Sequence, residues 1–167
     1  MIWVVGLGHP LMGDDSVGLL AVEEMARFEW PDSVRLVRAA ACTPDILPAP
    51  AEVGPDEPLD IILVDAVSEG RAPGTVSVTV LQWPPPEHGS DRRCSDAFVS
   101  PISMHGFSIH NLLSVLSLVG PMPRSLTLIG VEPGSTGPGE GLSPEVQRSR
   151  ARLVEVLRRT ILQHLSS

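Results

Sequence analysis

IWVVGLGHPLMGDDSVGLLAVEEMARF, residues 2–28, is the stretch on which the fold turns. Its first part, Ile2 to Gly6, is a short, continuous, β-branched apolar run ending in glycine, which reads as a buried strand and not as a helix. From Ser16 to Phe28 the residues Val17, Leu20, Ala21, Met25 and Phe28 recur at spacings of three and four, the mark of an amphipathic helix. Trp30-Pro31 closes it. Strand, glycine turn and helix in that order open an α/β fold. The turn itself, GLGHPLMGDDSVG at residues 6–18, begins like a phosphate-binding loop and ends on two adjacent acids.

The rest of the chain extends the pattern. A second strand is expected at Val34–Ala40, and a third in DIILVDAV, residues 60–67, whose unbroken Ile61, Ile62, Leu63 and Val64 suit burial on both faces. TVSVTVL, residues 75–81, alternates as an edge or antiparallel strand does. A further buried strand is SLTLIGV, residues 125–131. Gly106 to Val119 reads as an apolar helix. A last helix starts at Ser143-Pro144-Glu145, where serine caps, proline suits the first helical position and glutamate favours the positive helix end. Its core stripe is Val146, Arg150, Leu153, Leu157 and Ile161. WPPPEHGSDRRCSD, residues 83–96, and EPGSTGPGEG read as loops, and neither divides domains. One α/β domain over residues 1–167, built on a mostly parallel sheet, is the expectation.

Composition narrows the partners. The 167 residues are 43% hydrophobic and 19% charged, a globular balance. Twenty acids against 12 bases leave a charge of -8, which disfavours nucleic acid and anionic membrane and favours cationic partners. Cys42 and Cys94 are too few and too unpatterned for a disulfide framework or a CxxC metal site, so a reducing cytoplasm is the simplest setting. The run MIWVVGL has no preceding lysine or arginine and passes straight into loop chemistry, unlike a signal peptide or a membrane span.

Whether the turn holds an anion or a cation is decided by its acids. A dinucleotide fingerprint needs GxGxxG, whereas here Gly6, Gly8 and Gly13 place the third glycine two positions late. Asp14 and Asp15 stand where the anion would dock, and like charges about 4 Å apart repel by about 4 kcal/mol at an effective dielectric of 20. A cation or an activated water suits them better. An aspartate before a helix is also a common N-cap, and Asp14 in that role would contribute about 0.5–2 kcal/mol. Asp65 follows the buried run IILV, at the carboxyl end of its strand. With a 2-1-3 strand order, Asp15 and Asp65 open on one crevice, although local backbone donors would satisfy Asp65 equally well. His105, in SMHG before an apolar helix, adds an imidazole, and two carboxylates with one imidazole are compatible with nickel, zinc or cadmium. His9 lies in the glycine loop, His110 follows His105, and His88 and His164 look incidental. Glu132 is a further acid at a strand end, with a solvated loop position as its stronger reading.

GLGHPLMGDDSVG, LVDAV, ISMHGFSIHNLLSVL, LTLIGVEPGS and GLSPEV together resemble the hydrogenase maturation proteases, in order and spacing over nearly the whole chain. The resemblance implies a twisted five-stranded sheet sandwiched between helices. It implies an endopeptidase that trims the C-terminal tail of a nickel-iron hydrogenase large-subunit precursor once nickel has been inserted. It further implies a metal-contacting trio, which by position is Asp15, Asp65 and His105, with the nickel supplied by the precursor. Two departures stand in the opening motif: His9-Pro10 replaces the usual asparagine, and Ser16 the usual glycine. After the second strand AACTPDIL replaces the family's glycine pair before a threonine, which bears on which precursor is cut.

Other chemistries find less in the sequence. There is no GxSxG elbow, no DTG motif of an ordinary aspartic protease, and no identifiable histidine partner for Cys42. An aspartate acid/base pair remains open. The rival classes are a nucleotide-binding module, with Arg38 receiving a 2′-phosphate, and a metal-dependent maturation chaperone that holds the precursor without cutting it.

Overall fold

The computed structural model describes residues 1–40, 53–54, 57–82, 102–103, 123–139 and 141–167. Along the chain these form β1 (Ile2–Gly8), a 3-10 turn (Gly13–Ser16), α1 (Val17–Met25), β2 (Val34–Ala40) and β3 (Asp60–Ser68). β4 (Val76–Gln82), β5 (Ile102–Ser103), β6 (Ser125–Val131) and α2 (Pro144–Leu165) follow. The expected helix at residues 106–119 and loop at 83–96 lie outside the described residues, as do Cys42, Cys94, His88, His105 and His110.

Five strands line up in the order β2-β1-β3-β6-β4, and the short β5 pairs with β3. The pairs β1–β2, β1–β3 and β3–β6 are parallel, while β4 runs antiparallel to β6 at the edge. This is the α/β, mostly parallel five-stranded sheet expected from the alternation of elements, including the 2-1-3 order. Central position explains the unbroken apolar runs: every residue of β1 is buried, and every residue of β3 but Ser68. On one face α1 and α2 bury Val17, Ala21, Val22, Met25, Leu153, Leu157 and Ile161 against Val4, Ile62, Val64 and Ile129. The other face carries Trp3, Val5, Ile61, Leu63, Leu126 and Leu128.

Two details differ from the periodicity reading. α1 stops at Met25, three residues before Phe28, and it buries Leu19 and Val22 where Leu20 was expected. Past Met25 the chain tightens into i→i+3 turns, with the Phe28 amide donating to the Met25 carbonyl at 3.1 Å, and the Trp30 indole N–H donates to the same carbonyl at 2.9 Å. Phe28 is left exposed beside the Trp30 ring, under the Arg158 guanidinium. In α2 the capping serine is as expected, but Arg150 is no core residue; it pairs with Glu24 of α1.

At the amino end of β3 a polar staple joins three elements. The buried Asp60 carboxylate accepts from Arg124 Nε at 3.1 Å, Arg124 Nη2 at 2.6 Å and Ser125 Oγ at 2.6 Å. His164 of α2 lies 3.7 Å away, so it is not incidental. Burial pushes the Asp60 carboxyl up, but the Arg124 and Ser125 hydrogen bonds and the neighbouring charges of Arg124 and His164 outweigh it. The carboxyl is held below its ordinary value.

Candidate active site

The turn after β1 is shaped by glycines facing protein backbone. A Cβ on Gly6 would run into the Gly18 carbonyl, and one on Gly18 into the carbonyls of Leu7 and Val64, so β1 and α1 touch through two glycines. At Gly8, with φ of 143°, a Cβ would collide with the Asp15 carbonyl. In a dinucleotide fold the corresponding opening is where pyrophosphate approaches. Here the turn's own backbone fills it. Arg38, the residue that would read a 2′-phosphate, is instead 3.6 Å from Glu23 on α1. Both observations weigh against the nucleotide-binding reading.

The two acids of the turn have different partners, and neither caps α1 through its side chain. Ser16 occupies that N-cap position and makes no side-chain cap bond. The expected role of Asp14 as a helix cap is therefore corrected. Its wholly buried carboxylate reaches across to the connection between β6 and α2. There Oδ2 accepts from the Gly134 and Ser135 amides at 2.7 and 2.8 Å, and Oδ1 from the Ser143 amide at 2.6 Å. Sequence alone hides this, because the partners are 120 to 129 residues away and are backbone groups.

Asp15 is also buried, at 4% exposure, and its Oδ2 accepts the His9 amide at 2.8 Å. The His9 imidazole folds back into the loop, where Nδ1 accepts from the Leu11 amide at 3.2 Å. Asp65 is fully buried, and its Oδ1 accepts the Ala66 amide at 2.8 Å. It stands one residue beyond Val64, the last β3 residue paired with β1, and in register with Gly130 of β6. The 3-10 turn that carries Asp15 packs against both β1 and β3. Asp15 and Asp65 thus share the carboxyl end of the parallel strands, where open α/β sheets bind ligands. His105 lies outside the described residues. β5 supplies a neighbouring landmark: Ser103, two positions before His105 in sequence, pairs antiparallel with Val67, two positions after Asp65.

Glu132 differs from its expected solvated position. It is 7% exposed, and its Oε2 accepts the Glu69 amide at 2.8 Å. Its backbone bonds Gly74 and Thr75 as well, so it fixes the connection between β3 and β4. Among the described residues no three His, Cys, Asp or Glu side chains form a metal-holding group. No described helix is long and apolar enough to cross a membrane.

A mostly parallel sheet with buried carboxylates at its carboxyl edge, on glycine-packed turns, agrees with what the chain is similar to. It is 31% identical over 148 residues to the hydrogenase 2 maturation protease of Escherichia coli, covering 87% of this chain and 81% of that one. It is 31% identical over 133 residues to the hydrogenase expression/formation protein HupM of Azotobacter chroococcum, covering 79% of this chain but 57% of that longer protein. The fold matches the hydrogenase maturating endopeptidase HybD from E. coli with a TM-score of 0.73 at 25% identity, over 98% and 93% of the two chains. No family model matches the chain. The chain belongs to the hydrogenase maturation proteases. It is a peptidase of the α/β class, as the sequence motifs implied.

Proposed function

We propose that this peptidase removes the C-terminal tail of a nickel-iron hydrogenase large-subunit precursor in the cytoplasm, and that Asp15, Asp65 and His105 contact the nickel already held by that precursor. The observation that carries the reading is the meeting of three segments at one strand end. The Asp15 turn packs on β3, Asp65 is buried on that strand just past its last pairing with β1, and the segment leading to His105 pairs with the strand two residues further on. The likeness to the E. coli hydrogenase 2 maturation protease supports the choice of substrate.

Nickel is substrate cargo in this reading. Two carboxylates and an imidazole suit a borderline divalent ion, and three protein donors leave positions for ligands from the precursor. Binding the metal would align the adjoining peptide with the acids, so recognition and positioning become one event. Hydrolysis then needs water to add to the scissile carbonyl and a proton to pass to the departing amine. A carboxylate of the pair can carry that proton, and an adjacent cation polarises the carbonyl or acidifies the water.

The test is incubation with nickel-loaded and nickel-free precursor, followed by mass spectrometry. Loss of a C-terminal peptide only from the loaded form is expected. Asp15→Asn, Asp65→Asn and His105→Ala should each reduce processing severely while the protein stays folded, since the first two exchanges keep volume and change only donor type. Full activity of Asp65→Asn would remove the site. Binding of the loaded precursor without any mass change would make the protein a maturation chaperone.

A further inference from the structure

We infer that Asp14 is a positioning residue, fastening the turn that presents Asp15 to the amino end of α2. The inference rests on the proposed role of Asp15 and concerns how that side chain is held. Asp14 has no exposure to solvent, and its two oxygens accept three backbone N–H groups from one connection, residues 134–143. The link is two-way, because the Asp14 amide donates to the Ser135 carbonyl at 2.9 Å. The flanking residues continue it: the Gly13 amide donates to the Gly139 carbonyl, and the Gly139 amide to the Leu11 carbonyl. A Cβ on Gly13 would stand 2.7 Å from the Ser135 carbonyl, so these two segments are in backbone contact.

The anchor at the far end is the capped start of a helix packed into the core. Ser143, whose amide Asp14 accepts, is the N-cap of the 22-residue α2, and its own hydroxyl accepts the Val146 amide. α2 packs along the sheet through Val146, Leu153, Val156, Leu157 and Ile161. The next residue after Asp14 is Asp15, whose carboxylate takes the amide of His9 on the other limb of the turn. Displacing Asp14 therefore moves Asp15 relative to β3.

The carboxylate chemistry is specific. The exchange Asp14→Asn would keep the volume but present an NH2 where one oxygen now accepts an amide, setting donor against donor. Asp14→Glu has no room, because the side chain is fully enclosed. A misplacement of about 1 Å at a reacting group lowers turnover by as much as about 100-fold.

The experiment compares wild type, Asp14→Asn and Gly134→Ala by amide hydrogen exchange and by processing of nickel-loaded precursor, under conditions where each is native by circular dichroism. Gly134→Ala disturbs the same clamp without changing the carboxylate itself, since its Cβ would crowd Ser143 Oγ at 2.9 Å while meeting Asp14 Oδ2 only at ordinary contact, 3.5 Å. It supplies the answer if Asp14→Asn does not fold. The expected result is faster exchange at Ser135, Ser143 and, decisively, His9, with kcat down about 10- to 100-fold and KM nearly unchanged. Wild-type protection at the His9 amide, or wild-type kcat once that amide is opened, overturns the inference. A rise in KM at constant kcat also overturns it, making the connection a substrate contact. Should wild type cleave no precursor, the peptidase reading fails, and the His9 amide alone decides the positioning role.

Discussion

Gly18→Ala is the sharpest perturbation of the frame that carries the site. A single methyl group there would meet the Val64 and Leu7 carbonyl oxygens inside contact distance and the Leu7 nitrogen at 2.9 Å. Ordinary contact begins near 3.4 Å, so even that mildest of the three encounters requires a retreat of about 0.5 Å, and the carbonyls require more. All three are backbone atoms of central strands, so α1 must move instead, taking the turn with Asp15 along. Overpacking of this kind costs about 1–3 kcal/mol, occasionally more. For a chain of this size each kcal/mol lowers the melting temperature by about 2–4 °C. Processing should fall further than stability predicts, toward about 100-fold for a displacement near 1 Å. Thermal denaturation and precursor processing at a temperature where the variant is fully native measure the two effects. Gly70→Ala is the control: φ there is +73° and a Cβ meets nothing within 4 Å. It should cost about 1–2 kcal/mol of backbone strain and leave turnover intact. A Gly18→Ala protein with wild-type melting and wild-type turnover would refute the close-packed origin of the site.

Three further outcomes are expected. Thr127→Val should stabilise the protein by about 1–3 kcal/mol in urea denaturation, because the buried Thr127 hydroxyl has no hydrogen-bond partner among the described residues and valine keeps its shape; a loss of stability would reveal a partner for that hydroxyl. Asp60 titrates below the ordinary value of 3.8, so its contribution is complete above that value and is lost as the pH falls through the lower folded one. Arg124→Ala should remove about 1–3 kcal/mol at neutral pH, moderated by the half-exposed guanidinium, and flatten the acid limb of a stability–pH curve; an unchanged acid limb would contradict the staple. Metal analysis of freshly purified protein should find little nickel or zinc, whereas tightly held stoichiometric zinc with cleavage of nickel-free precursor would make this an ordinary metallopeptidase.

The sheet was legible because its central strands β1, β3 and β6 are buried along nearly their whole length; β6 matches the expected bounds and β1 and β3 nearly so, and the edge strand β2 matches as well. The helix end at Met25 was not, since the chain there tightens into i→i+3 turns with an added tryptophan donor five residues on, and periodicity carries no record of either. The glycines of residues 6–18 were visible as a tight turn, but a glycine written for phosphate and one written for a carbonyl look alike in sequence. Counting along apolar runs put Asp65 at the carboxyl end of its strand, whereas β3 runs three residues past it, and Asp15 lies in the 3-10 turn beyond β1. Asp14 and Glu132 could not be assigned, because their partners are main-chain amides, and any sequence supplies those. A buried carboxylate on a distant loop amide leaves no pattern at short range.

The strand order also sets a timetable for the nascent chain. β3 and β4 follow each other in sequence, yet β6 lies between them in the sheet. During synthesis the amino-terminal strands emerge first, and β4 has no described neighbour other than β6 to pair with until residues 125–131 appear. The amides that receive Asp14 come later still, at residues 134–143. Contacts so far apart in the chain also slow folding in a test tube. An enzyme laid out in this way has its opening turn translated well before the connection that completes its working geometry. Unfinished chains on the ribosome therefore carry the acids of the site without the clamp that aims them.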